Sequence, residues 1–363
     1  MRVALLANLK KNAPVWPGMS PDYWDDLDSE ETIEAIAAAL STNGHNVTFM
    51  EGNAALYDKL RDNRPDICFN ICEGHLGDSR ESHVPALLEM LRIPYTGSQV
   101  LTLALALDKP MTKRVLAYHN LPTPAFQAFE RIHEPLDPEL AFPLFVKPSR
   151  EGTGMGVSAE SIVYNEQQLR TQLQRLFDRY DQSVLVERFI DGREVTVGIV
   201  GNLSTPMARR VPDDEDAPRI KRGLTFLPPL EVDMTRYPEE EAGIYTSKIK
   251  TVMAHEFHYL CPAPLPEELI SDLNWYAAAT FRVTGCFDVA RVDFRLDASD
   301  NNKPYILEIN PLPGLNPGYS DLCLEAKAAG WSYEELVNRI LDEAIERYEL
   351  VPYEPTSCTE NKK

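Results

Sequence analysis

The sequence predicts an α/β fold organised on parallel sheet, and three observations lead there. Strand-like and helix-like segments alternate from residue 2 onward. A glycine-rich loop follows directly on a mid-chain strand. A hairpin with one polar face lies in the C-terminal third. Alternation of strand and helix implies parallel pairing, with ligands held at the C-terminal ends of the strands.

Residues 2–7 form a compact apolar strand. Residues 11–27 are an irregular loop with Pro14, Pro17, Gly18 and Pro21 among aromatic residues. Asp28 followed by Glu31 resembles a capping box, and Ile33, Ile36, Ala37 and Leu40 recur at helical spacing until Gly44. A second strand covers residues 46–50, a short helix 54–62, a third strand 65–71 and a helix 81–91. The strand ends in this region carry Asn8, Lys10, Asn70 and Glu73. A buried helix over 101–107 leads to Asp108-Lys109, and Pro122 and Pro124 mark a boundary. Strands follow at 143–147 and 183–187, with a helix around 165–180 between them, then a strand at 194–200. Residues 204–248 have little periodicity and are long for a structureless loop, so strands joined by a functional loop are expected. A helix within 266–284, the hairpin, an amphipathic helix over 332–349 and a polar tail at 351–363 complete the chain.

The hairpin pairs Asp288-Val-Ala-Arg-Val-Asp-Phe-Arg295 with Tyr305-Ile-Leu-Glu-Ile-Asn310. Strand side chains alternate, so Arg291 and Asp293 share one face, and Val292, Phe294 and Leu296 the other. In the second strand Glu308 and Asn310 share a face opposite Tyr305, Leu307 and Ile309. A turn over 297–304 sets Asp293 opposite Glu308 and Arg291 opposite Asn310. Facing carboxylates repel. A divalent cation reverses that, and oxygen ligands with a carboxamide suit Mg²⁺ or Mn²⁺. A solvated hairpin face would show the same period. The arginine and amide beside the acids, and the rigid loop at 311–318, favour a site.

In the mid-chain loop, Lys147 ends a strand and Gly152, Gly154 and Gly156 allow backbone N–H groups to approach an anion. Thr153 adds a hydroxyl. The loop is neither a Walker A loop nor a dinucleotide fingerprint. A plain turn remains the alternative, and the preceding Lys-Pro-Ser-Arg-Glu favours phosphate. The strand Val184–Ile190 can offer edge N–H and C=O groups to a purine.

The chain has 363 residues, room for two or three domains, and a net charge of −20 that excludes nucleic acid and anionic membrane as partners. Six cysteines without paired spacing suit free thiols in the cytoplasm. The N-terminus reads as a strand, not a signal peptide, and no apolar run reaches a membrane span.

Taken together the motifs Gly-Asp-Ser-Arg-Glu81, Ile93-Pro-Tyr-Thr-Gly-Ser98, Leu107-Asp-Lys109, Val146-Lys-Pro-Ser-Arg-Glu-Gly152, Val184-Leu-Val-Glu187, Arg291-Val-Asp293 and Glu308-Ile-Asn310 with Pro313-Gly314 resemble the ATP-grasp superfamily. Within it the chain looks most like the D-alanine–D-alanine ligase family, from about residue 2 to 349. The resemblance implies a three-domain ATP-grasp fold: a Rossmann-like parallel-sheet domain at 1–107, a central subdomain at 108–190, a C-terminal catalytic domain at 191–350 and a tail at 351–363. It implies ATP and two Mg²⁺ (or Mn²⁺). Lys109, Lys147 and Lys248 would contact phosphates, with Glu151, Gly152, Thr153 and Gly154 in the phosphate loop. Glu187, Arg188, Phe189 and Ile190 would line the adenine site, and Glu194 would hold the ribose. Asp293, Glu308 and Asn310 would bind metal. Arg291 and the Gly314 backbone would stabilise the acyl phosphate and the tetrahedral intermediate.

The implied activity is ATP-dependent amide formation between amino-acid-like small molecules, with a homodimer as the candidate assembly. The alternatives are an authentic D-alanine–D-alanine ligase, a natural-product amino-acid ligase, an inactive nucleotide-binding protein and, against the missing fingerprint, a nicotinamide dehydrogenase. Departures from the family pattern fall on the substrate side. Glu73 stands where the family usually presents a histidine, Ile249 where it has a loop tyrosine, and Ser320 sits beside Asp321. Glu73 would either face the first substrate or pair with Arg80 or Lys10.

Overall fold

The computed structural model describes residues 1–20, 22–203, 223–233 and 259–350. Three sheets organise them. The first is parallel, in the order β2-β1-β3, from β1 (Arg2–Ala7), β2 (Asn46–Glu51) and β3 (Ile67–Asn70). Helix α1 (Glu30–Thr42) connects the first two strands, α2 (Leu56–Asp62) follows β2, and α3 (His83–Leu91) follows β3 after a turn of 3-10 helix. The cap of α1 is Ser29, whose hydroxyl accepts from Thr32 N, and not the expected Asp28. Asp28 is held elsewhere: its backbone continues the pairing of β1, donating to Asn8 O at 3.1 Å and accepting from Lys10 N at 3.0 Å. Its side chain is thereby turned into a cavity rather than onto the helix.

Helices α4 (Val100–Leu107) and α5 (Lys109–Tyr118) lead to the second sheet. Asp108 caps α5 through Met111 N, and Pro110 sits in the first turn, where its missing N–H is harmless. The second sheet runs β4-β7-β5-β6, with β4 (Phe126–Phe129), β5 (Leu144–Pro148), β6 (Ile162–Val163) and β7 (Val184–Arg188), all antiparallel. Helix α6 (Glu166–Arg179) covers it, burying Leu169, Leu173 and Leu176.

The third sheet runs β11-β10-β8-β12-β13, with β9 beside β8. Its strands are β8 (Gly192–Gly201), β9 (Leu224–Phe226), β10 (Leu230–Val232), β11 (Tyr259–Leu260), β12 (Val289–Asp297) and β13 (Lys303–Asn310). Thus two short strands lie within the aperiodic 204–248 stretch, while the rest of it, with Lys248 and Ile249, falls outside the described residues, as does the tail at 351–363. Helix α7 (Glu267–Thr284) buries Leu273, Ala277 and Phe281 against β8 and β12. After α8 (Asp321–Ala328), α9 (Tyr333–Arg347) packs Leu336, Ile340 and Leu341 into a core shared with Ile36 and Leu40 of α1 and with Val289. At its end Arg347 meets Asp288, which is 0% exposed, at 2.7 Å, and donates to Tyr95 O at 2.9 Å. Arg347 therefore ties the segment that follows the first sheet to the entry of β12.

The hairpin has the expected register, Arg291 against Asn310 and Asp293 against Glu308. One expectation fails. A register shift between Asp293 and Phe294 sets Ile306 opposite Phe294 and leaves Leu307 as the extra residue. Ile306 and Ile309 enter the core, while Leu307 is only half-buried and lines a cavity.

Candidate active site

Two cavities share three residues, Lys109, Gly152 and Glu308. The narrower has a volume of about 100 Å³ and lies between the second and third sheets. Lys147 enters it from β5, Glu187 and Arg188 from the end of β7, and Phe189 and Ile190 from the residues beyond. Glu194 of β8 closes it, 3.3 Å from Arg295, and Asp293 lines it from the hairpin. Glu151, Gly152 and Gly154 line it from the glycine-rich loop, whereas Thr153 lines the wider cavity.

The loop is not built quite as its glycines suggest. Gly154 and Thr153 both adopt positive φ, 72° and 53°. Gly156 does different work. Its N–H donates to Asp22 Oδ2, and a Cβ there would lie 2.7 Å from Pro148 Cγ. Gly156 is thus needed for close packing and is not free to bind an anion.

The sequence reading missed a lysine. Lys113 is fully buried 2.6 Å from Glu187, which also meets Lys147 at 2.8 Å. Burial opposes the Glu187 charge, but Lys113 and Lys147 outweigh it and hold the carboxyl down at about 2. Burial draws the Lys113 ammonium down to about 8, with Glu187 working the other way. Lys109 and Lys113 are four apart on α5, so helical spacing was the signal that could have found this residue. Lys109 Nζ donates to Glu151 O at 2.6 Å and lies 3.3 Å from Glu308.

The wider cavity, of about 420 Å³, collects Arg291, Asn310, Gly314, Ser320 and Glu73. Arg291 pairs with Asp293 at 2.8 Å and Asp321 at 3.3 Å. Ser320 Oγ accepts from Asn316 N at 2.9 Å, which fixes the loop that carries Gly314. Arg80 is taken by Asp26 and Glu151 and Lys10 by Asp25, so neither forms the pairing with Glu73 that the sequence left open. Glu73 precedes Gly74, whose φ is 74° and where a Cβ would lie 2.4 Å from Arg80 O.

Asp293, Glu308 and Asn310 offer two carboxylates and an amide on adjacent strands. Asn310 Nδ2 donates to Asp293 Oδ2 at 3.0 Å, and Thr196 Oγ1 to Asp293 Oδ1 at 2.7 Å. No group of three or more His, Cys, Asp and Glu that could hold a metal occurs among the described residues. Such a partial oxygen set fits Mg²⁺, which keeps waters and takes its other ligands from substrate phosphates.

A family model described as "D-ala D-ala ligase C-terminus" matches residues 115–215 and 230–342. A D-alanine–D-alanine ligase of Syntrophotalea carbinolica is 36% identical over 332 residues, 92% of this chain and 95% of that one. An uncharacterized protein, y4sG, of Sinorhizobium fredii is 36% identical over 323 residues, 87% of this chain and 88% of its own. The crystal structure of a Bacillus anthracis D-alanine–D-alanine ligase complexed with ATP superposes with a TM-score of 0.69 at 24% identity, over 96% of this chain and 99% of that one. That likeness establishes the fold.

Proposed function

Because the chain belongs to the D-alanine–D-alanine ligase family, we propose that it joins two amino acids through an amide bond at the cost of ATP. The carboxylate of the first attacks the γ-phosphorus, giving an acyl phosphate and ADP. The amine of the second adds to the acyl carbon, loses a proton, and expels inorganic phosphate. The observation that carries this reading is the joint between the cavities, where Lys109, Gly152 and Glu308 border both. A nucleotide in the narrow cavity would present its γ-phosphate there, to a carboxylate lying in the wide one.

In this reading Lys109, Lys147 and the N–H groups at Gly152–Gly154 bind phosphates, and Lys113 fixes Glu187 so that Glu187 fixes Lys147. Lys248 is retained as a phosphate ligand on the family pattern alone. Glu187–Ile190 hold adenine and Glu194 the ribose. Arg291 and the Gly314 N–H stabilise charge on the acyl phosphate and the tetrahedral adduct. Two Mg²⁺ held by Asp293, Glu308 and Asn310 would neutralise charge on the phosphates. Glu73 and Ser320 contact the amino-acid substrates.

The division at 107, 190 and 350 belongs to the proposal and is supported by the three separate sheets. So do a homodimer and the cytoplasm. Five free cysteines among the described residues favour the latter, and no described helix is long and apolar enough to cross a membrane. The experiment is ADP release from the purified protein with ATP, Mg²⁺ and a panel of amino acids. Release that depends on an amino acid is expected; ATP hydrolysis indifferent to every amino acid would remove the proposal.

A further inference from the structure

The wide cavity is lined by more acids than one substrate amine needs. Asp25, Asp26 and Asp28 come from one loop, Glu73 and Glu81 from the segments after β3. Lys10 neutralises Asp25 at 2.7 Å, and Arg80 is shared between Asp26 and Glu151, at 3.2 Å each. Among the described residues, Asp28, Glu73 and Glu81 lie within ion-pair distance of no cation. Asp26 adds an independent sign: its side chain is 7% exposed, and its Oδ1 has no hydrogen-bond partner. Burial pushes the Asp28 carboxyl up to about 7, with Asp26 adding to it. Burial pushes the Glu81 carboxyl up to about 7 although Arg80 and Lys109 work the other way, and it raises the Glu73 carboxyl, with Glu81 and Asp26 adding and Arg80 opposing. Buried acids in this condition are stabilised by a cation brought to them. They do not converge as a metal site would. An organic cation, whose charge is spread over several N–H donors, matches acids set on separate segments.

We propose that the acid substrate carries a second positive charge on its side chain, an ammonium or guanidinium, besides its α-ammonium. This rests on the ligase reading above. The carboxylate lies toward Arg291 and Gly314, the α-ammonium meets the Asp26–Asp28 loop, and the side-chain cation meets Glu73 and Glu81. A small neutral amino acid such as alanine leaves those two acids without a partner.

The test uses the full chain with ATP and Mg²⁺, and hydroxylamine as the common amine, so that hydroxamate formation reports the acid alone. Ornithine and lysine are compared with norvaline and norleucine, which lack only the terminal amine, and with alanine, in both stereochemical series. The cationic acids should exceed their neutral counterparts in kcat/KM by about 10–100-fold, the worth of a charge-assisted hydrogen bond or two. In Glu73→Gln that ratio should shrink several-fold, a comparison internal to the variant; an undiminished ratio would overturn the assignment to Glu73. Hydroxamate formed equally well from neutral acids, or best from alanine, would overturn the inference and leave the ligase standing. No hydroxamate and no ADP with any acid would overturn both. Should Glu73→Gln fail to fold, the wild-type panel decides.

Discussion

The Lys113 ammonium lies 2.6 Å from the Glu187 carboxylate, with the two side chains 0% and 3% exposed. Removing one member of such a pair strands the other. Lys113→Met should lower unfolding stability by about 3–5 kcal/mol in urea denaturation. The Glu187 carboxyl titrates at about 2 in the fold against an ordinary 4.5. A group depressed by folding adds stability above its unfolded value and loses it as pH falls toward the folded one. Wild-type stability should therefore fall between pH 4.5 and 2 more steeply than that of the double variant Lys113→Met/Glu187→Gln. Equal acid sensitivity would contradict the pairing.

The bulge in the hairpin separates two neighbours. Ile306 is 0% exposed in the core, while Leu307 lines the narrow cavity. Ile306→Ala should cost about 2–5 kcal/mol of stability, as buried truncations do. Leu307→Ala should cost much less and instead raise KM for ATP several-fold. Steady-state kinetics and thermal melts on both variants check this; reversed effects would mean the regular alternation was right.

That bulge also marks where sequence reasoning stopped. The register of Arg291 with Asn310 and of Asp293 with Glu308 was legible, because a turn-rich spacer between two alternating runs sets it. Inserting one residue into the ladder leaves no trace in hydrophobic order when Ile306 and Leu307 are both apolar. The N-cap moved from Asp28 to Ser29 because a backbone pairing claimed Asp28, a long-range event that local pattern does not carry. The family motifs led to Lys109, Gly152 and Glu308 at the joint of the cavities and to Lys147, Glu187, Asp293, Arg291 and Asn310 around it. Lys113 escaped because only its helical spacing from Lys109 marks it, and that spacing does not say that the side chain is buried. Gly156 looked like its neighbours until Asp22 and Pro148 were seen against it.

Glu308 stands at the joint of the two cavities, 3.3 Å from Lys109. Glu308→Gln keeps the shape and removes the charge. It should leave the melting temperature nearly unchanged and lower kcat by about 100–1000-fold, the scale of losing one preorganised charge contact. Turnover at the wild-type rate would remove Glu308 from the proposed metal set.

Arg347 joins the C-terminal helix to Asp288 and to the Tyr95 carbonyl. Arg347→Met leaves the fully buried Asp288 without its cation, although Gly97 N and Asn202 Nδ2 still donate to it at 2.8 and 2.9 Å. A loss of about 3 kcal/mol is expected in denaturant, with ADP release per folded molecule little altered. A loss below about 1 kcal/mol would show that the remaining donors suffice.

The central claim is that ATP activates a carboxylate as an acyl phosphate. It is tested most directly by turning over an amino acid labelled with ¹⁸O in both carboxylate oxygens and reading the label in the products by mass spectrometry. The account predicts one ¹⁸O in each molecule of inorganic phosphate, with ADP as the nucleotide product. Unlabelled phosphate, or AMP carrying the label beside pyrophosphate, would contradict it.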